Sequence, residues 1–475
     1  MGIEKNERIC CRMITVLLLA HNEKEEAKLS LEALRAISGK IELSVVLVDH
    51  ASTDGLQEWA MQQSDITYIG TEDGIEPWGS VLKQVVEVLE IDTDIVIMQS
   101  RYVVYSEVLE QMFFCLHQND RIGVVGCMSN DSTFPSQRLY GNFSGSDNMV
   151  QRVNENKKQI YEKAMGFDCG MFMIKASAFR ETGGFDDRFF LLKTLSQDIA
   201  ISMIKKGYDI FICKNAAVYS SHARYHESFD TYKKYERGDK RQLEEKWKMH
   251  YFNIIPNNMI IQLIDAPKDA DIHVLEIGCD CGATLFEIKR LFPNAATYGC
   301  DIVPGAIDLA GYFVDEAFVA NIEEKDLAER SPVIKEKSLD YIIFGDVLEH
   351  LRYPEEILKY VKQFLKPNGV VLACIPNLMN ISVMKQILNG NFTYTETGLL
   401  DKTHIHLFTF HEIVRTFQNA GYVIAPDGIS MTSSQLSEED EALVEHLLRL
   451  GSGTERFMYQ AFHFILSAHP GNTGT

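Results

Sequence analysis

An α/β fold with two separate, mainly parallel sheets is predicted by three features of the 475-residue sequence. Short apolar segments that read as buried strands alternate with segments of helical spacing in both halves, which calls for parallel strands joined by crossover helices. Several of these strands end in an acid and a cluster of turn residues, placing ligands at the carboxyl edge of each sheet. A chain of 475 residues is also too long for one ordinary core, so two or three domains are expected.

Composition narrows the function classes. The chain is 46% hydrophobic and 24% charged, as globular proteins are, and its net charge of -21 argues against a broad surface for nucleic acid or anionic membrane. Ten cysteines occur without a C-x-x-C pair, and Cys115, Cys127, Cys300 and Cys374 lie in apolar runs, as buried thiols do. This reads as a reducing compartment rather than a disulfide framework or zinc site. The apolar run Met13 to Ala20 is far shorter than the roughly 20 residues a bilayer needs. Glu4 and Glu7 before it and His21-Asn22-Glu23 after it do not make a signal peptide. No transmembrane segment and a cytoplasmic location are therefore expected.

In the first half, Met13 to Ala20 and Leu43 to Val48 read as buried strands, with Asn22 to Ala36 as the helix between them. The second strand ends in Asp49-His50-Ala51-Ser52-Thr53-Asp54-Gly55. An acid and turn residues at such an end suit a nucleotide base and ribose, and a tight turn alone explains Ser52, Asp54 and Gly55 equally well. Asp94 to Met98 is a further buried strand, followed by Gln99-Ser100-Arg101-Tyr102. Later come Gly183-Gly184-Phe185-Asp186-Asp187-Arg188-Phe189-Phe190 and Gln197-Asp198.

These stretches resemble the family-2 glycosyltransferases of GT-A type over about Ile14 to Tyr225, with LLLAHNE, VDHASTDG and GGFDDRFF carrying the likeness. The resemblance implies a GT-A nucleotide-diphospho-sugar transferase fold and a nucleotide sugar as donor. Asp49 would bond the base, and the backbone from Ala20 to Asn22 would line the same pocket. Asp198 would be the catalytic base of an inverting transfer, taking the proton of the attacking acceptor hydroxyl. Its structural alternative is a helix N-cap. The chain departs from the family after the fourth strand, where an Asp-x-Asp element normally holds manganese or magnesium against the diphosphate. A guanidinium cannot bind a cation. Either Arg101 itself neutralises the leaving diphosphate, or the domain no longer transfers sugar. His222 is a possible metal or diphosphate ligand, its alternative being an exposed loop histidine.

From His226 to Asp271 the pattern becomes charged helix, and Asn253 to Ile264 carries apolar residues at helical spacing. The expected division is a first domain at 1–239, a helical bridge at 240–271 and a second domain at 272–475.

The second domain is organised around Val274 to Leu285, VLEIGCDCGATL: a strand, a glycine-punctuated turn and a helix start, with Glu276 before the turn. Gly278 and Gly282 sit where backbone must approach a ligand. Further strands end at Asp301, at Gly345-Asp346-Val347-Leu348-Glu349-His350 and at Pro376-Asn377. With these motifs in order, the segment Val274 to Ala425 resembles the class I S-adenosylmethionine-dependent methyltransferases, of Rossmann-like fold. The likeness implies S-adenosylmethionine as cofactor, held by Glu276, Gly278, Gly282, Asp301, Asn321 and Asp346. Asp280 stands where that family usually has a small residue. His350 is the candidate base for the methyl acceptor, with a bond to a backbone carbonyl as its structural alternative. Glu349 and His350 also suit a metal-assisted arrangement. The segment Leu400 to Thr409 resembles LDRTHLRFFT of methyltransferases found beside glycan-assembly enzymes, which makes Asp401, His404 and His406 candidates for acceptor binding. A simple turn explains Asp401 and Thr403 as well.

Together these resemblances imply a bifunctional enzyme that transfers a sugar to a glycan or glycoprotein acceptor and then O-methylates it. The alternative is a methyltransferase whose first domain only binds or presents the glycan.

Overall fold

The computed structural model describes residues 13–37, 41–72, 76–105, 107–140, 148–156, 158–220, 229–249, 252–433 and 435–471. The chain forms two compact units, Met1–Phe252 and Asn253–Thr475. Both are α/β, as the alternation of strand and helix predicts. The helix Phe229–Trp247 runs unbroken through Asp239, so the expected bridge divides, its first residues belonging to the first unit and the rest to the second.

The first unit is built on a sheet of strands β1 (Met13–Ala20), β2 (Glu42–Asp49), β3 (Thr67–Gly70), β4 (Asp94–Gln99), β5 (Tyr102–Val103), β6 (Ile122–Ser129), β7 (Tyr161–Ala164), β8 (Met171–Ile174) and β9 (Asp209–Ser220). Their order is β3-β2-β1-β4-β8-β6-β9-β5, with β7 also on β9. The strands β1 to β4 are parallel, and β8 is antiparallel to both its neighbours. Buried parallel strands read as continuous apolar runs because both faces are covered, and Ile14, Val16, Leu18, Val96 and Met98 duly meet Leu31 and Leu34 of the helix Lys24–Ile37.

The second unit carries β10 (His273–Ile277), β11 (Ala296–Asp301), β12 (Glu316–Val319), β13 (Leu339–Gly345), β14 (Leu365–Pro376), β15 (Tyr422–Ser433) and β16 (Ala461–Pro470) in the order β12-β11-β10-β13-β14-β16-β15. All pairs from β12 to β14 are parallel, whereas β16 is antiparallel to both β14 and β15. The order reverses between β10 and β11 on one side and β13 on the other, which puts the ligand crevice outside the carboxyl ends of those strands. This is the Rossmann-like methyltransferase fold. The segment expected as a helix from Asn253 to Ile264 contains only the single turn Asn258–Ile261, since Pro256 has no N–H to continue a helix behind it. Its Ile260, Ile261 and Ile264 nonetheless pack on Val274, Ile343 and Leu372. Among the described residues no helix is long and apolar enough to cross a membrane.

Candidate functional sites

In the first unit the ends of β1 and β2 are tied together. Asn22, with φ of 53°, donates its backbone N–H to Ser52 Oγ at 2.8 Å and accepts at Oδ1 from the Thr53 N–H at 2.7 Å. Ala20 is buried and its carbonyl accepts from the His50 N–H. Asp49 is 2% exposed; its Oδ1 takes the Ser52 N–H and its Oδ2 the Tyr68 hydroxyl, each at 2.9 Å. Burial, aided by that bond to Asp49, pushes the Tyr68 phenol up. Asp49 therefore organises its own loop.

Past β4, Arg101 is mostly buried. Its guanidinium lies 5.2 Å above the Tyr102 ring, 3.4 Å from the Tyr102 hydroxyl and 3.8 Å from Asp131 Oδ2. The Tyr102 hydroxyl donates to the Asp131 carboxylate at 3.0 Å, and Ser129 Oγ donates to it as well. Asp168 stands nearby, its carboxyl pushed up by burial and then by Asp131, against bonds from the Gly170 N–H and the Ser132 hydroxyl. The acids beside the Gln99-Ser100-Arg101 turn thus come from the end of β6 and from the approach to β8. Sequence reading missed both; the signal for Asp131 was a polar Ser-Asn-Asp-Ser run closing an apolar strand.

Asp198 lies inside the helix Leu192–Lys205 rather than ahead of it, so the N-cap alternative does not hold. It is 2% exposed. Trp247 Nε1–H donates to its Oδ1 at 2.8 Å and Lys246 Nζ to its Oδ2 at 2.9 Å, both from the helix Phe229–Trp247. Burial raises the Asp198 pKa, opposed by Lys246 and Trp247. Lys246 also bridges to Asp186 at 2.8 Å. The same helix pins the approach to Asp198 through buried Asp239, which accepts from the N–H groups of Phe190 and Leu191. Thus the carboxylate expected to meet an acceptor is closed over by this helix. His222 lies outside the described residues.

The second unit brings its predicted residues to one edge of the sheet. Gly278 has φ of 73°, and a Cβ there would stand 2.4 Å from Val347 Cγ2, so the loop after β10 touches the segment after β13. Gly282 caps the helix Ala283–Leu291 with φ of 84°. Asp301, at the end of β11, accepts the Asp280 N–H at Oδ2 (3.0 Å) and the Val303 N–H at Oδ1 (2.9 Å), so it fixes the loop that faces it. Asp280 has φ of 48°, and burial, offset in part by the Cys281 thiol, pushes its carboxyl up to about 6. Glu276 is 4% exposed and among the described residues its Oε2 has no hydrogen-bond partner; burial, against a bond from Thr284, pushes its carboxyl up to about 8. Three carboxylates around one glycine loop make a cradle for a cationic ligand bearing hydroxyls. Asn321 caps a short turn through the Glu323 N–H, and its side chain is exposed.

Beyond β13, Asp346 is half-exposed with φ of 55°, and its Oδ1 lies 3.5 Å from His463 Nε2. His463, the third residue of β16, pairs with Pro376, the last residue of β14. Its position at this edge was not legible from sequence, because it depends on β16 pairing antiparallel to β14. His350 donates Nδ1–H to the Thr403 carbonyl at 3.1 Å, the structural bond its alternative reading anticipates. Glu349 is fully buried and, among the described residues, neither carboxylate oxygen has a hydrogen-bond partner; burial and then Asp346 raise its pKa well above the usual range. His404 donates Nδ1–H to the Leu399 carbonyl at 3.2 Å, with Nε2 4.0 Å from Glu349 Oε1. His406 instead turns its Nε2 to the Arg352 carbonyl at 3.2 Å. Asp401 accepts from the Thr403 N–H and hydroxyl, closing a turn. Among the described residues two groups of side chains have metal-ligand chemistry, Glu349 with His350 and His404, and Asp346 with Cys374 and His463.

Comparison with known proteins gives the following likenesses. The chain is 26% identical over 172 residues to O-methyltransferase 3 of Dictyostelium discoideum, covering 34% of this chain and 39% of that one. It is 28% identical over 121 residues to the malonyl-[acyl-carrier protein] O-methyltransferase of Halalkalibacterium halodurans, covering 24% of this chain and 44% of the relative. The chain thus spans less than half the length of either curated relative. Among solved structures, the mannosyltransferase PcManGT of Pyrobaculum calidifontis, in complex with GDP-Man and Mn2+, is 17% identical with a TM-score of 0.35, covering 50% of this chain and 65% of that one. Residues 253–426, which carry the glycine loop and the acids around it, match the family model of a methyltransferase domain.

Proposed function

We propose that the second unit is an S-adenosylmethionine-dependent O-methyltransferase acting on a glycan, and that the first unit is the glycosyltransferase that builds or extends that glycan. The observation that carries the methyltransferase reading is the Gly278 to Gly282 loop, closed by Asp301 and backed by the orphaned Glu276 oxygen. A sulfonium cofactor is cationic, and an acid cradle around a close-approach glycine suits it. The reactive methyl group comes with the cofactor, so the protein's work is alignment and proton removal. In this reading an acceptor hydroxyl enters beside Asp346 and His463, whose side chains lie 3.5 Å apart; imidazole takes the hydroxyl proton while Asp346 steadies the charge formed. His350, tied to Thr403, is the less available base.

For the first unit, Asp49 would serve the nucleotide of a sugar donor and Asp198 the acceptor. Arg101 would neutralise the diphosphate, with or without manganese or magnesium. A second reading, in which this unit only holds or presents the glycan, is favoured by one observation: Lys246 and Trp247 already occupy both oxygens of Asp198.

The test is calorimetric titration of the full chain with S-adenosylmethionine, then a thermal-shift screen against nucleotide sugars with and without manganese. Stoichiometric cofactor binding that Gly278→Ala abolishes is the expected result, and its absence overturns the methyltransferase assignment. A nucleotide sugar that raises the melting temperature supports the bifunctional reading. No response from any sugar nucleotide, with cofactor binding intact, leaves the presenting module.

A further inference from the structure

We infer that the second unit has a divalent-cation site formed by Glu349, His350 and His404, open on one side to the hydroxyls of the acceptor. One ligand atom from each of the three side chains lies within 4.8 Å of the others. The backbone fixes this arrangement: the Glu349 carbonyl accepts from the N–H groups of Ile405 and His406, both at 2.9 Å, so the loop bearing His404 is laced to the turn Leu348–His350.

The donor set is chemically prepared. Both histidines give Nδ1–H to main-chain carbonyls, Thr403 at 3.1 Å and Leu399 at 3.2 Å. That fixes the tautomer, leaving each Nε2 lone pair as the ligand atom, as second-shell carbonyls do in metal sites. Glu349 supplies the independent sign. A fully buried carboxylate with two unpartnered oxygens is costly, and an ion between it and two imidazoles would satisfy it. Asp346 and Asp401 add negative potential around the same point.

Bonds of about 2.1 Å to nitrogen and oxygen require the three donors to draw together by roughly 1 Å, within reach of side-chain rotation. One carboxylate and two imidazoles suit manganese, iron(II) or zinc better than calcium, which prefers oxygen throughout. Three protein ligands leave open positions, where a bound hydroxyl becomes more acidic as methyl transfer begins. This role rests on the proposed methyltransferase reading, whereas the ion site itself does not.

The experiment titrates Mn2+ into EDTA-stripped full-length protein, reading free Mn2+ by electron paramagnetic resonance and bound Mn2+ by water-proton relaxation. The wild type should bind one ion that Glu349→Gln and His404→Gln each weaken at least tenfold. His411→Gln, in the same unit but bonded to the Gly453 carbonyl, should leave it unchanged. A cooperative calorimetric unfolding transition like that of the wild type reports that each variant is folded, and His350→Gln provides a third variant if either of the first two fails that check. No binding by the wild type, or binding indifferent to all three substitutions, overturns the site. Bound Mn2+ without enhanced water relaxation overturns its open side. If the ion binds while S-adenosylmethionine does not, the site stands and the methyltransferase reading falls.

Discussion

Trp247 donates its indole N–H to Asp198 Oδ1 at 2.8 Å, while Lys246 beside it reaches the other carboxylate oxygen at 2.9 Å. The end of one helix thus satisfies a carboxylate that is 2% exposed at the centre of another. An acid so enclosed holds the fold together unless the enclosing helix moves.

Removing one partner should therefore cost stability. Trp247→Phe deletes a bond to a charged group, worth about 1.5–3 kcal/mol. Lys246→Met leaves the carboxylate without its cation, and since Lys246 is a quarter exposed the cost is about 1–3 kcal/mol, below the full value for a buried pair. The Asp198 pKa is already raised, so its charged form is the disfavoured one and its contribution falls as pH rises. The Lys246→Met penalty should accordingly be larger at pH 8 than at pH 4. Chemical denaturation of that variant at the two pH values measures it, and an equal penalty at both would show that the pair is not electrostatically coupled.

Tyr68 and Asp49 make a second closed pair. Tyr68→Phe deletes one hydrogen bond and should destabilise the first unit by about 1 kcal/mol. It also frees Asp49 Oδ2, so affinity for a uridine or guanosine diphosphate should rise if Asp49 meets the base. Unchanged affinity would place the base elsewhere.

Gly278→Ala tests the cofactor loop at its tightest point. A methyl group there meets Val347 Cγ2 at 2.4 Å on a backbone with φ of 73°, so strain and clash act together. Loss of S-adenosylmethionine affinity by more than tenfold is expected, by calorimetry. Val347→Ala in the same chain relieves the clash but not the backbone strain, and should restore part of the loss.

The sequence made some of this legible and hid the rest for physical reasons. The strands ending at Ala20, Asp49, Ile277 and Asp301 were readable because buried parallel strands are apolar runs stopped by turn residues. Gly278 and Gly282 were readable because positive φ leaves few residue choices. His463 was hidden, since nothing local says that a strand near the end of the chain returns antiparallel beside β14. Likewise Asp131 reaches Arg101 only through the pairing of distant strands, and Trp247 reaches Asp198 across 49 positions. Single-chain reading identifies which residues carry chemistry and misses what covers them.

Glu276 gives the sharpest pH test. Its carboxyl stands at about 8 against an ordinary value of 4.5, because it is buried with one oxygen unpartnered. Between those values the folded protein holds a proton that the unfolded chain has released, so stability is fully present below about 4.5 and is lost as pH rises through about 8. Glu276→Gln keeps the shape and removes the titration. Without cofactor, this variant should therefore be more stable than wild type at pH 9, by an amount on the order of a few kcal/mol, and nearly equal to it at pH 4. All three tryptophans, Trp59, Trp78 and Trp247, lie in the first unit, so their fluorescence follows that unit and not this change. Calorimetry of the transition that S-adenosylmethionine shifts reads the second unit instead. At pH 9, where the wild-type carboxylate is charged, the same substitution should weaken the cofactor, because a neutral amide no longer answers a cationic ligand. A variant stabilised at high pH with cofactor affinity intact would show that Glu276 is strained for some other purpose.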